Sequence, residues 1–281
     1  MVTTPLRRFG TLYDEIEKLN STVSSDTYKV RKKFSGIYAL KLFKKEFSDK
    51  KLKRQIDIYA HLGKEENPYF LKYISSSEDE MIVRDKYIVL ELVEKGDLEN
   101  FLLAGNYFSE KIAKFMIFKI ILPIQKMHTM GIAHRNLSVK NILLDGSYNF
   151  KIAGFDHAIF IKEEDQKQIF KEDIINIGFL IIQLLTGKFN KKIIKQKMQL
   201  AIKKGNYELF WKVLEGQGEY NFSLELKDLI NTILSEKISD IETLLSHDWF
   251  DAVIKISQNE FILYEQLMKD KLKQCGGVES D

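Results

Sequence analysis

HRNLSVKNILL, residues 134–144, sets one imidazole, one guanidinium and two carboxamides against the apolar run Ile142-Leu143-Leu144. Asn136 sits at the centre of its polar half. A carboxamide can hydrogen-bond a hydroxyl, but it has no lone pair basic enough to take a proton near neutral pH. FKIAGFD (150–156) follows, with Gly154 and Asp156 on either side of Phe155.

Upstream of this stretch the chain reads as strands. YKVRKKFSGIYALKLF alternates apolar and polar residues around Ser35-Gly36, and MIVRDKYIVLELV does so around Asp85-Lys86, so both are expected to be hairpins. Between them, KKLKRQIDIYAHL puts Leu52, Ile56, Tyr59 and Leu62 on one helical stripe. From Ser109 onward the period becomes helical. SEKIAKFMIFKIILPIQKMH has Ser109 as an expected N-cap and Pro123 as an expected kink. Further helices are expected at EDIINIGFLIIQLLTG, ending at Gly187, and at SLELKDLINTILSE. SDIETLLSHDWF is expected to open on a Ser239–Glu242 capping box, and SQNEFILYEQL on a Ser257–Glu260 one.

The 281 residues are 44% hydrophobic, enough for a sizeable core in one large domain or two lobes. A net charge of +3 with both signs interspersed argues against a nucleic-acid surface. No apolar run approaches the roughly 18 residues of a membrane span, and MVTTPLRRFG lacks the apolar core of a signal peptide. With one cysteine, Cys275, no internal disulfide is available, and an intracellular soluble compartment is expected.

The order of strands, then helices, then HRNLSVKNILL and FKIAGFD resembles a eukaryotic protein kinase from about Tyr13 to Phe250. YALKLF is similar to the V-A-I-K strand, with Lys41 as its lysine. YIVLELVEKGDL is similar to the gatekeeper and hinge, with Leu90 as gatekeeper. DIINIG resembles the helix carrying Asp173 and Gly178, and SHDWF the H-P-W-F ending of calmodulin-dependent kinases. The resemblance implies a bilobal α+β fold, a small antiparallel β lobe with one helix and a larger, mainly helical lobe. Its expected parts are an extension at 1–12, the β lobe and hinge at 13–93, the helical lobe at 94–250 and a helical tail at 251–281. It also favours a strand for TLYDEIEKL, whose period alone would allow a helix.

Against that family the charge-handling positions are changed. The glycine loop aligns with NSTVSSDTYKV, where Asn20, Thr22 and Ser25 replace glycines that would let backbone amides approach phosphates. Gln55 stands where a helix glutamate would align Lys41. Asn136 replaces the catalytic aspartate and Ser138 the catalytic-loop lysine, while Asn141 keeps its metal-binding identity. The D-F-G aspartate becomes Gly154. Asp156 begins two residues away, roughly 6 to 7 Å of extended chain. HAIFIKEEDQKQIFKE, 157–172, holds no Ser, Thr or Tyr to phosphorylate. Arg135 is expected to meet Glu163, Glu164 or Asp165 in place of a phosphate.

The resemblance therefore implies a pseudokinase that scaffolds or regulates a protein partner, with no intact catalytic residue, no required cofactor, and neither magnesium nor membrane contact expected. Two alternatives stay open. One is an atypical active serine/threonine kinase using Lys41, Asn141 and Asp156. The other is a metal-independent ATP-binding switch with its pocket at Ala39, Lys41, Leu90, Glu91, Val93 and Leu143. The tail helix could serve as a partner surface or dock on its own lobe.

Overall fold

A computed structural model of the chain describes residues 8–9, 12–32, 34–64, 67–79, 85–104, 107–187, 196, 200, 203, 207–216 and 220–276. The chain divides into two compact units, residues 1–94 and 95–281.

The first unit is an antiparallel sheet with one helix. Its strands are β1 (Arg8–Phe9), β2 (Tyr13–Ser21), β3 (Ser25–Lys32), β4 (Gly36–Phe43), β5 (Tyr73–Ser76) and β6 (Tyr87–Glu91), in the order β1-β2-β3-β4-β6-β5. The opening stretch is thus a strand, and Phe9, within the expected extension, is buried in the sheet's core. Alternation places Tyr28 and Val30 of β3, Leu40 and Leu42 of β4, and Tyr87 and Val89 of β6 in one core cluster with Phe9 and Tyr13. The Tyr13 hydroxyl finds Ser75 Oγ at 2.7 Å, so this aromatic edge is buried without an orphaned polar group.

The β3–β4 hairpin turns at Phe34–Gly36 as expected, with Lys32 opposite Gly36. The second expected hairpin is corrected. β6 pairs with β4 on one side and with β5 on the other, so both its edges are taken. Residues Met81–Arg84, its expected partner, lie outside the described residues. Short strands separated by a polar connection carry little periodic signal, which is why β5 escaped the pattern.

Helix α1 (Asp49–Leu62) buries Leu52, Ile56, Tyr59 and Leu62, the stripe read from the sequence, and adds Gln55 and Ile58.

The second unit is mainly helical: α2 (Leu98–Leu103), α3 (Glu110–Thr129), α4 (Gln166–Thr186), α5 (Tyr207–Glu215), α6 (Leu224–Leu234), α7 (Ile241–Leu245), α8 (Asp248–Ile254) and α9 (Gln258–Gly276). Between α3 and α4 run two small antiparallel pairs, β7 (Ile132–Ala133) with β10 (Ile159–Phe160), and β8 (Ile142–Leu144) with β9 (Phe150–Ile152). Pro123 lies inside α3, which continues through it to Thr129. Ser109 precedes α3 but makes no side-chain cap bond. Helix α4 starts six residues ahead of the expected Glu172 and stops at Gly187, whose φ of 66° suits a residue without Cβ.

The expected Ser239–Glu242 capping box is replaced by a cap from Asp240, which accepts from Thr243 N at 2.7 Å while Ser239 Oγ bonds the same carboxylate. The SHDWF segment is a separate helix, α8, capped by His247. The Ser257–Glu260 box does form, with Ser257 N on Glu260 Oε2 at 3.0 Å and Glu260 N on Ser257 Oγ at 3.3 Å.

Helix α9 docks on its own unit. Met268 and Leu272 are fully buried, Phe261 and Tyr264 meet Phe115 edge-on, and Lys119 binds Glu265 at 2.6 Å. Its apolar stripe is therefore partly spent on its own unit, while Leu267 stays exposed. No described helix is long and apolar enough to cross a membrane.

Candidate functional site: a loop anchored on Asp173

In the helical unit, the turn after β7 is organised by one carboxylate. Asp173, on α4 and fully buried, accepts His134 N at 2.8 Å and Arg135 N at 2.6 Å. Its Oδ2 also lies 2.9 Å from His128 Nε2, an imidazole stacked on Phe170 at 3.8 Å between ring centroids. A carboxylate oxygen only accepts, so that imidazole nitrogen carries the proton. Two backbone amides and one ring thus fix the loop to α3 and α4. The family resemblance pointed to Asp173, whereas His128, six residues before His134, was missed. Its only sequence signal was a histidine in the last turn of a helix with a long apolar face.

His134 is fully buried beside Phe155, with ring centroids 5.3 Å apart. Burial pushes its pKa below the ordinary histidine value. The neutral ring suits its two bonds, Nε2 donating to Ala153 O at 2.9 Å and Nδ1 accepting from Asn136 N at 3.3 Å. Such an arrangement positions backbone and moves no proton.

Arg135 has φ of 61°, and its Nε donates to Glu172 Oε2 at 2.8 Å. Its partner is thus Glu172 and not Glu163, Glu164 or Asp165, which form an exposed 3-10 turn ahead of α4. The reason is local. Asp173 fixes the Arg135 backbone, and the adjacent helix residue brings Glu172 within reach. The hydrogen bond to Glu172 holds the guanidinium's pKa above its ordinary value.

Asn136 is half-buried, and its carbonyl accepts Asn141 Nδ2 at 2.7 Å. Ser138 leads into a 3-10 turn at Val139–Asn141, from which Asn141 O accepts Ala153 N at 2.9 Å. The Asn141 side chain also lies against Gly154. A Cβ built on Gly154 would stand 2.1 Å from Asn141 Oδ1, and the backbone there has φ of 77°. Position 154 therefore has no room for a side chain while Asn141 keeps its bond to Asn136. Asp156, half-buried, follows Phe155 in the turn. Among the described residues, no three His, Cys, Asp or Glu side chains gather as metal ligands. The residues present do not fit a magnesium ion of the family's kind, because position 154 supplies no carboxylate to join Asn141 Oδ1.

The sheet unit carries the other expected positions. The β2–β3 turn satisfies itself. Thr22 N donates to Ser25 O at 2.8 Å, Ser25 N to Thr22 Oγ1 at 3.0 Å, and Ser21 N to Asn20 Oδ1 at 2.7 Å. Lys44, Ser21 and Lys18 hold the Asp26 carboxyl well below the usual carboxylate range. These amides and lysines already have partners. Such a turn is a poor phosphate cradle.

On β4, Ala39 stands opposite Lys29 and Lys41 opposite Thr27 of β3, with Leu90 and Ile88 of β6 on the other side. Lys41 Nζ sits 5.3 Å from the centre of the Phe43 ring. Glu91 Oε1 accepts Lys72 N at 2.8 Å, and Val93 and Leu143 are half-buried in their respective units.

Gln55 is fully buried on α1, and neither of its amide atoms has a hydrogen-bond partner. Asp57 is exposed on the opposite side of the helix. An unpaired buried amide costs about 1 to 3 kcal/mol. Gln55→Met, close in volume, is expected to raise stability by about 1 to 2 kcal/mol, seen as a higher urea midpoint. A lowered midpoint would mean that the amide is satisfied.

Residues 13–174 match the family described as protein kinase domain, more than half of the chain. The chain is 29% identical over 190 residues to the probable serine/threonine-protein kinase KCC4 of Saccharomyces cerevisiae, covering 57% of this chain and 17% of that protein. It is 30% identical over 189 residues to the serine/threonine-protein kinase cot-1 of Neurospora crassa, 64% of this chain and 28% of that one. A probable myosin light chain kinase of Dictyostelium discoideum is 23% identical over 262 residues, 84% of this chain and 53% of its own length. The chain thus spans only about a sixth to a half of these relatives. With the Asp173-anchored loop, the sheet carrying Lys41 and this match taken together, the chain belongs to the protein kinase domain family.

Proposed function

We propose that this kinase domain is a pseudokinase, a scaffold or allosteric regulator of a protein partner that performs no phosphotransfer of its own. The carrying observation is the packing of Asn141 on Gly154. While Asn141 keeps its bond to Asn136, it leaves no space at position 154 for the missing carboxylate. Three further features support the same reading: the amide at position 136, the self-bonded β2–β3 turn, and an amide in place of the helix carboxylate at position 55. Each removes a different contribution to phosphoryl transfer, which depends on positioning and electrostatic stabilisation. Because residues of one catalytic unit act together, their losses compound. The relatives are named as kinases, so the proposal makes this chain a departure within its family.

What remains ordered is architectural. The buried Asp173 hub, the neutral His134 and the Arg135–Glu172 pair hold the loop without a phosphate or a metal. A domain so arranged presents a fixed surface, as a scaffold must.

The test is a thermal-shift titration with ATP, with and without magnesium, beside a radiolabelled transfer assay with magnesium and manganese. A ligand at a hundredfold excess over its Kd stabilises by about 2.7 kcal/mol, which shifts Tm by several degrees. A shift below about 1 °C is expected, with transfer no greater than that of Lys41→Ala. Lysine-dependent transfer would overturn the proposal in favour of an atypical kinase. A multi-degree shift without transfer would favour the ATP-binding switch.

A further inference from the structure

The tip of the β3–β4 hairpin is a strained and exposed turn. Phe34 occupies it with its side chain wholly exposed and with φ of 62°. Aromatic residues rarely adopt this left-handed conformation, and such strain persists only where the surroundings impose it. Here they do. Ser35 N closes the turn on Lys32 O at 3.2 Å, and the Tyr38 hydroxyl bonds Ser35 O at 3.1 Å and Ser35 Oγ at 3.0 Å. Gly36, at φ of 133°, completes a turn that side chains other than glycine's would strain. The turn is therefore closed by its own bonds while the Phe34 ring stays fully exposed.

Its neighbours extend the feature. Ile37 stands opposite Arg31, and Leu12 precedes Tyr13, which stands opposite Lys32. Both are exposed, at 43% and 42%, so two more apolar side chains lie at this end of the sheet. Arg31, Lys32 and Lys33 lead into Phe34 in the sequence. Arg31 is exposed and Lys32 half-buried with its Nζ over the Tyr13 ring. The acidic residue on this rim is Asp14, opposite Arg31, and the balance remains positive.

We propose that this hairpin tip is a peripheral membrane contact, inserting Phe34 into the headgroup boundary of an anionic lipid surface while the basic side chains that precede it, Arg31 and Lys32 among them, meet its headgroups. Apolar insertion combined with basic attraction is the combination such a surface selects. The basic run beside the exposed ring matches the charge of an anionic lipid surface. The expectation of no membrane contact came from the lack of a spanning segment, and a surface contact needs none. One aromatic and three basic residues give weak, reversible binding, of the kind that adds to a second attachment. The proposal is independent of whether the domain transfers phosphate.

The test is co-sedimentation of the full chain with phosphatidylcholine vesicles, with and without about 30% phosphatidylserine. The wild type is expected to partition at least tenfold better onto the anionic vesicles, and the difference should shrink at high salt. Phe34→Asp is expected to lose at least tenfold. Neutralising Arg31, Lys32 and Lys33 to Gln is expected to lose about fivefold per charge. Phe34→Gly guards against misfolding. It relieves the positive φ, so its Tm should hold or rise while its vesicle binding falls. Equal binding to both vesicle types, or Phe34 variants that bind as wild type, would overturn the proposal. So would Phe34-dependent binding to an acidic polyglutamate peptide with none to vesicles, which would assign the tip to an acidic protein.

Discussion

Asp173→Ala is expected to cost about 3 to 5 kcal/mol. The carboxylate is fully buried, and three donors converge on it: His134 N, Arg135 N and His128 Nε2. Alanine leaves all three without this acceptor. Each unpaired donor carries its own desolvation penalty, and the buried amides have no alternative acceptor supplied by a helix or strand. Total stability of a domain is about 5 to 15 kcal/mol, so the variant should sit near the edge of folding. Asp173→Asn should cost less, since its carbonyl oxygen still accepts while its amino group meets a donor. Urea unfolding of the three proteins measures the order. A loss below about 1 kcal/mol for alanine would mean that water replaces the carboxylate and that Asp173 is not the anchor.

The features read correctly from sequence share a short range. The α1 stripe, the Ser257–Glu260 box and the glycine stop at Gly187 each depend on residues within a few positions, and on one periodicity or one backbone angle. Where two local solutions compete, the pattern cannot rank them. Asp240 took the cap expected of Ser239, since either side chain can reach an amide two or three residues on. Longer range fails differently. Arg135 had three acidic candidates at 163–165, and its partner was decided by Asp173, which fixes the Arg135 backbone from the residue next to Glu172. The candidate site divides the same way. Changed residue types at positions 55, 136 and 154 were legible because a motif frame numbered them. That Gln55 is buried without partners, that Thr22 and Ser25 close their own turn, and that Asn141 fills the space beside Gly154 are consequences of packing.

That last contact yields the second large effect. Gly154→Asp, the change that would nominally restore the metal carboxylate, is expected to destabilise the domain by about 3 kcal/mol and to restore no magnesium-dependent transfer, alone or with Asn136→Asp. Two costs combine. A side chain at φ of 77° is strained, and its Cβ would overlap Asn141 Oδ1 at 2.1 Å and Cγ at 2.3 Å. Relief requires Asn141 to swing away, which breaks its 2.7 Å bond to Asn136 O. The two contributions separate in a double-mutant cycle. Asn141→Ala removes every atom that collides, so Gly154→Ala made in that background should cost only the backbone strain, about 1 kcal/mol, against about 3 in the wild type. Additive losses would mean that Asn141 moves freely and that the glycine is retained for φ alone. Strong coupling would mean that amide and glycine form one packed unit, so that a carboxylate cannot return to position 154 until position 141 has changed first.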